Sequence, residues 1–88
     1  MANKAKIKVP INKDVLYSEI KRKTSISKIG PAIGYSEKTI RRGLVDGYLS
    51  IEIVALLGLE LNIDPKVFAD FDTYFKLVKL NVSKKEEL

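Results

Sequence analysis

The side chains that could carry chemistry in this chain are carboxylates, lysines, arginines and tyrosines, because its 88 residues include no Cys and no His. Without those two residue types the chain lacks disulfides, thiol nucleophiles, the usual zinc sites and the commonest general base. No pair of carboxylates, and no lysine with a tyrosine, stands in a recognisable catalytic spacing. We therefore expect no enzymatic activity, no metal site and no other cofactor.

Positive charge is the second chemical feature, and it is concentrated in the first half of the chain. Sixteen Lys and Arg against eleven Asp and Glu give a formal charge of +5. Residues 1–47 hold eleven basic and four acidic residues, a net of +7, whereas residues 48–88 hold five and seven, a net of −2. Such a basic excess indicates a polyanionic partner, either nucleic acid or acidic lipid.

Five helices are predicted to position these side chains in a single small domain, because 88 residues bury only one modest core. Apolar periodicity and capping residues place them from Asn12 to about Lys23, from Ser27 to Ile33, from Glu37 to about Val45, from Ser50 to Leu61, and from Asp64 and Pro65 onward. The fourth helix has almost no polar face, so we expect it to be buried on most sides. The predicted class is therefore all-α.

The two ends of the chain fit more than one structure. Residues Lys4 to Ile11 alternate as a short strand would, and Pro10 confines them to a sheet edge or an extended arm. Residues Phe75 to Val82 fit either a strand or an extension of the fifth helix. We divide the chain into a basic arm or edge strand over 1–11, a helical domain over 12–70 and a C-terminal extension over 71–88.

Two short helices joined by a glycine turn carry the most specific pattern in the chain. The turn residue is Gly34, and the apolar residues Ile29 and Ile33 precede it. Tyr35 and Ile40 follow it, at the spacing of a helix-turn-helix. Here the sequence resembles the lambda-repressor-like, Cro-type helix-turn-helix family of bacterial and phage DNA-binding regulators. The resemblance covers about residues 13–68 and implies a five-helix lambda-repressor-like domain. One departure is Gly30, where the family usually has Ala.

The resemblance implies that the third helix, 37–45, enters the major groove of DNA with its N-terminal end directed at base edges. The candidates for base contact are Glu37, Lys38, Arg41 and Arg42. Either arginine can present two donors to guanine, Lys38 can reach guanine or a phosphate, and Glu37 can accept from cytosine or stabilise the helix dipole. The candidates for phosphate contact are Lys28, Ser36, Thr39, Lys4, Lys6 and Lys8, of which the last three could also reach the minor groove.

A surplus of apolar residues predicts a homodimer. A single helix-turn-helix reads only a few base pairs, so specificity usually comes from a two-fold dimer on a palindromic operator. The residues that exceed the needs of so small a core, and that we assign to the interface, are Ile53, Leu56, Phe71, Tyr74, Phe75 and Val78. The alternative is that they cover the core, with Leu80 and Val82 pairing beside Ile7 and Val9.

These observations predict a sequence-specific double-stranded DNA-binding transcriptional regulator of bacterial, plasmid or phage type, which represses by occupying promoter DNA. The alternative is a protein-interaction module, either an anti-repressor or an assembly factor, that keeps the scaffold without sequence-specific DNA binding. No apolar run is long enough to span a membrane and no signal peptide is evident, so we expect a cytoplasmic protein. No small-molecule substrate is inferred.

Overall fold

The computed structural model describes the backbone of residues 7–86 and the side chains of residues 7–81. It is mostly helical, with five α helices and a small two-stranded sheet. In chain order the elements are β1 (Val9–Pro10), α1 (Lys13–Lys23), α2 (Ile26–Ala32), α3 (Glu37–Asp46), β2 (Tyr48–Leu49), α4 (Ile51–Leu61), a 3-10 turn (Pro65–Val67) and α5 (Phe71–Glu86). This architecture is compatible with the all-α class.

Local capping chemistry sets the starts of three helices where the sequence predicts them. The side chain of Asn12 accepts a hydrogen bond from the backbone N–H of Val15, at 3.2 Å, and thereby caps α1. The hydroxyl oxygen of Ser36 does the same for α3, and that of Ser50 for α4. Gly34 has a φ of +88°, so the predicted glycine turn between the second and third helices passes through a left-handed conformation.

The predicted start of the fifth helix at Asp64 and Pro65 is wrong. These residues begin only the 3-10 turn, and α5 starts at Phe71. The backbone between these two elements is engaged elsewhere: the carbonyl of Phe68 accepts from Asn12 N–H at 2.7 Å, and Asp70 N–H donates to the carbonyl of Pro10 at 2.8 Å. Backbone groups that bond to a distant segment are not available for a helix, so the helix begins after them.

The N-terminal strand has a different partner from the one considered in the sequence. Val9 pairs antiparallel with Leu49, and an isolated bridge joins Ile11 to Ala69. Residues 80 and 82 lie within α5, which resolves the ambiguity of residues 75–82 in favour of a helix. The strand itself is shorter than the predicted segment 4–11, of which residues 4–6 lie outside the described part of the chain.

The hydrophobic core extends from β1 to the residues just before α5, and its members are Val9, Leu16, Ile20, Ile26, Ile29, Ile40, Leu44, Leu49, Ile53, Val54, Leu57, Leu61, Phe68 and Ala69. Among the described residues of α5, Phe71 and Tyr74 pack against this core and are only partly buried. The expectation that α4 is buried on most sides needs correction. Its residues Ile51 and Leu59 are 44% and 79% exposed, because only one side of α4 faces the other helices.

Candidate nucleic-acid interface

The connection between α2 and α3 is tight because Gly30 has no side chain. A Cβ atom at Gly30 would lie 2.8 Å from the carbonyl oxygen of Tyr35 and 3.1 Å from the backbone nitrogen of Glu37. The N–H of Tyr35 donates to the carbonyl of Gly30 at 2.8 Å. The missing Cβ therefore allows the start of α3 to approach the end of α2. This close approach explains why residue 30 is Gly here, where the family that the sequence resembles usually has Ala.

Helix α3 has a buried side and an exposed side. Ile40, Gly43 and Leu44 are buried against the rest of the molecule. The opposite side, which we call the outer face, carries Lys38, Arg41, Arg42 and Val45, all exposed. This face combines three positive charges with one apolar side chain, because Val45 is 74% exposed. The sequence argument identified the three charged residues and missed Val45.

Glu37 and Arg41 form an ion pair one turn apart at the start of α3. The Nε–H of Arg41 donates to Oε2 of Glu37 at 2.6 Å, and the two side chains are 40% and 60% exposed for Glu37 and Arg41 respectively. Such a surface pair contributes about 0.3–0.5 kcal/mol, so it orients the arginine without fixing it. Since Nε is the donor in this pair, the two terminal amino groups of the guanidinium are the ones left to address a partner.

The hydroxyl groups of Ser36 and Thr39 are involved in the cap of α3. Ser36 Oγ accepts from the backbone N–H of Thr39 at 3.2 Å, and the two hydroxyl oxygens lie 3.0 Å apart. Both residues are exposed at the end of α3 where Glu37 begins the helix. Their capping role is thus visible in the structure, and their predicted contact with phosphate remains a prediction.

The remaining phosphate candidates are spread over different parts of the molecule. Lys28 is exposed on α2. Lys4 and Lys6 lie outside the described residues. Lys8 precedes β1, and the pairing of Val9 with Leu49 brings it beside α3. There it lines an open groove, with a volume of about 470 Å³, between α3 and the β1–β2 ribbon.

A tyrosine at the turn between α2 and α3 links this region to α4. Burial raises the pKa of the Tyr35 hydroxyl, and the hydrogen bond and negative charge of Glu52 raise it further. Tyr35 also packs at the edge of the hydrophobic core. Its hydroxyl is therefore protonated at neutral pH, and Tyr35 lines the same surface groove as Glu52 of the first turn of α4.

The six predicted interface residues divide into three groups. Ile53 is 5% exposed and belongs to the core, since it lies on the inner side of α4. Leu56, Phe71, Tyr74 and Val78 are half-buried, and the two aromatic residues pack against the core. Phe75 is 59% exposed. Two residues that sequence reasoning did not select, Leu77 and Leu80, are 39% and 64% exposed on α5.

Two findings concern other kinds of site and partner. Within residues 7–86 no helix combines the length and the apolar character that crossing a membrane requires. Among the described side chains, those of residues 7–81, there is no group of three or more His, Cys, Asp or Glu residues placed to hold a metal ion. No protein-family model, curated protein or solved structure matches this chain. The functional assignment therefore depends on α3 and its surroundings.

Proposed function

We propose that this protein is a sequence-specific DNA-binding transcriptional regulator that inserts α3 into the major groove of a DNA duplex. The observation that carries the proposal is the outer face of α3, where Lys38, Arg41 and Arg42 are exposed while the opposite side of the same helix is buried. An α helix with its side chains is about 10–12 Å across, which fits a major groove about 12 Å wide.

The residues of the outer face suit the chemistry of base edges. The guanidinium groups of Arg41 and Arg42 can each donate twice to O6 and N7 of guanine, and Lys38 can donate to the same atoms. Glu37 orients Arg41 through the ion pair described above and can accept from cytosine when that pair opens. In this proposal Lys28 contacts the phosphate backbone from α2, and Ser36 and Thr39 contact it from the start of α3.

The protein acts as a homodimer in this proposal, and α5 supplies the interface. Phe75, Leu77 and Leu80 are exposed apolar side chains on one helix, and large exposed apolar groups commonly mark an interaction surface. Two copies related by a two-fold axis would present two α3 helices to a palindromic operator. In this proposal the protein is a regulator of bacterial, plasmid or phage type, and it represses transcription by occupying promoter DNA.

Selection of bound sequences from random duplex DNA tests the proposal most directly. We expect enrichment of a palindromic site, since each copy reads one half. Arg41→Ala and Arg42→Ala should each relax the preference at one base position per half-site. Lys28→Ala should instead weaken binding to all sequences alike, because a phosphate contact carries no sequence information.

The control is Lys66→Ala, which removes an exposed lysine of the 3-10 turn and should leave binding unchanged. Enrichment of no sequence above background would refute sequence-specific recognition. That outcome would favour the alternative function, a protein-interaction module on the same scaffold, for which the exposed apolar residues of α5 would be the contact surface.

A further inference from the structure

The groove between α3 and the β1–β2 ribbon collects charges from distant parts of the sequence. Its wall includes Lys8 from the N-terminal segment, Lys38 and Arg42 from α3, and Asp46 and Tyr48 from the end of α3 and from β2. We call it the ribbon groove. Three positive side chains and one carboxylate give it a net charge of +2. Lys38 and Arg42 also belong to the outer face of α3, so the two surfaces are continuous.

The positive charges of the ribbon groove are not held in ion pairs with the described carboxylates. Among the side chains of residues 7–81 the ion pairs within 4.0 Å are Glu19 with Arg22 and Glu37 with Arg41, neither of which involves the groove. Asp46 lines the groove without such a contact to its lysines or to its arginine. An anion entering the groove would therefore meet three cationic groups, none of which is in an ion pair with a carboxylate of residues 7–81.

The walls of the ribbon groove are held in place by buried contacts. Gly43 lets β2 lie directly against α3, because a Cβ atom there would overlap the side chain of Leu49 and lie 3.1 Å from the carbonyl oxygen of Tyr48. Leu49 and its pairing partner Val9 are both buried. The N–H of Ile11 donates to the carbonyl of Gly47 at 2.9 Å. Lys8 is thus anchored beside α3 by the residues that follow it.

We propose that the ribbon groove binds one backbone phosphate of the DNA duplex whose bases face α3. Lys8 supplies a charge, the exposed hydroxyl of Tyr48 supplies a hydrogen-bond donor, and Arg42 borders the phosphate on the side of the bases. This inference rests on the proposed function and deepens it. It also assigns Lys8 to a phosphate next to the major groove, whereas a free arm would carry it into the minor groove.

Three substitutions test the ribbon groove by the direction in which each changes DNA affinity. Lys8→Ala should weaken binding about three- to tenfold per half-site, the effect of losing one solvent-exposed contact of ordinary strength. Tyr48→Phe should weaken it less, since it removes a neutral donor only. Asp46→Asn should strengthen binding, because it removes the only carboxylate among the described residues that line the groove. Each effect should be equal for the selected duplex and for a scrambled duplex of the same length, since a phosphate contact is blind to sequence.

The salt dependence of binding counts the phosphate contacts. With one phosphate contact per protein copy, Lys8→Ala should reduce the slope of log affinity against log salt concentration by about 0.9 per half-site, which is about 1.8 for a dimer on a palindromic duplex. Lys66→Ala, the matched control, should leave the slope unchanged. An unchanged slope in Lys8→Ala would overturn the ribbon-groove proposal. Lys8→Gln, which keeps most of the side chain without its charge, should repeat the result of Lys8→Ala and guards against a change in folding.

Neutral phosphates locate the contact in the DNA. Each phosphate of the selected duplex is replaced in turn by an uncharged methylphosphonate, and the affinity is measured for the wild type and for Lys8→Ala. At one phosphate per half-site, the replacement should weaken DNA binding by the wild type and have little further effect on binding by Lys8→Ala. Equal sensitivity of both proteins at every phosphate would overturn the proposal.

The two proposals fail in different ways. A wild type that prefers its selected duplex, with Lys8→Ala indistinguishable from it, overturns the groove and leaves sequence-specific recognition in place. A wild type with no preferred sequence overturns sequence-specific recognition. In that case the slope measured on the scrambled duplex still decides whether the ribbon groove binds a phosphate.

Discussion

Gly30→Ala should destabilise the protein even though Ala is the better helix former. Gly30 lies in α2 immediately before Pro31, and a proline disfavours helical backbone at the preceding residue when that residue has a Cβ. The new Cβ would also lie 2.8 Å from the carbonyl oxygen of Tyr35 and 3.1 Å from the nitrogen of Glu37. All of these atoms are backbone, so no side-chain rotation can relieve the contact.

The magnitude of this effect follows from one stabilising and two destabilising terms. Ala gains about 1 kcal/mol over Gly in a helix interior. Overpacking of this kind costs about 1–3 kcal/mol, and weakening of the hydrogen bond from Tyr35 N–H to Gly30 costs about 0.5–1.5 kcal/mol more. We therefore expect a net loss of about 0.5–3.5 kcal/mol, which in a domain of this size lowers the midpoint of thermal unfolding by roughly 2–28 °C.

Urea and thermal unfolding followed by circular dichroism would measure this loss. Ala55→Gly, at an exposed position inside α4, calibrates the intrinsic difference between Ala and Gly in the same protein. If Gly30→Ala is more stable than the wild type by the amount that Ala55→Gly loses, the close approach of the turn to α2 exerts no strain and the reasoning is wrong. A second expected effect is weaker DNA binding, since the turn must shift with α3.

Three further predictions concern other parts of the fold. Gly34→Ala should lower the free energy of unfolding by about 1–2 kcal/mol and Gly34→Asn by less, because φ is +88° with no atom within 4 Å of an added Cβ, so backbone strain alone decides the result; chemical denaturation would rank the two. The backbone N–H and hydroxyl of Thr73 lower the pKa of Asp70, so the stability that this carboxylate adds is present above its unfolded pKa of about 3.9 and is lost as the pH falls through its lower folded value. Unfolding measured from neutral pH to below about pH 4 should therefore show Asp70→Ala less stable than the wild type at neutral pH and the gap closing in acid. Leu80→Glu should convert the proposed dimer to a monomer in sedimentation experiments while leaving the helical content unchanged, since this side chain is 64% exposed; a dimer that persists would place the interface elsewhere.

Local signals in the sequence were sufficient for the helices of the first sixty residues. Asn12, Ser36 and Ser50 cap helices through backbone groups three residues away, and Gly34 provides a left-handed turn in place. The start of α5 could not be found in this way. Asp64 and Pro65 form a genuine start signal, but the backbone near Phe68 bonds to residues close to Asn12, and no local pattern reveals that competition.

In the candidate site, too, the residues within one helix were predictable and those brought together by the fold were not. Helical periodicity alone places Lys38, Arg41 and Arg42 on one side of α3, because all three belong to one continuous element. The ribbon groove could not be predicted from the sequence, since Lys8 and Tyr48 line the same groove only because two short strands far apart in the sequence pair with each other. Alternation in residues 4–11 indicates the strand that contains β1, whereas the two residues of β2 are too few to show alternation. The pairing of β1 with β2 depends on the packing of the whole core, which no local pattern reveals.

The β1–β2 ribbon also sets an order of assembly. Contacts between α2 and α3 are local, whereas β1 reaches residues near Leu49 and near Asp70. Closing such long loops costs entropy that local contacts avoid, so β1 joins after the helices it covers. During synthesis β1 must therefore wait for residues as far as Asp70 before its partners are present. We expect α3 to form early in this order and Lys8 to reach its position beside α3 later.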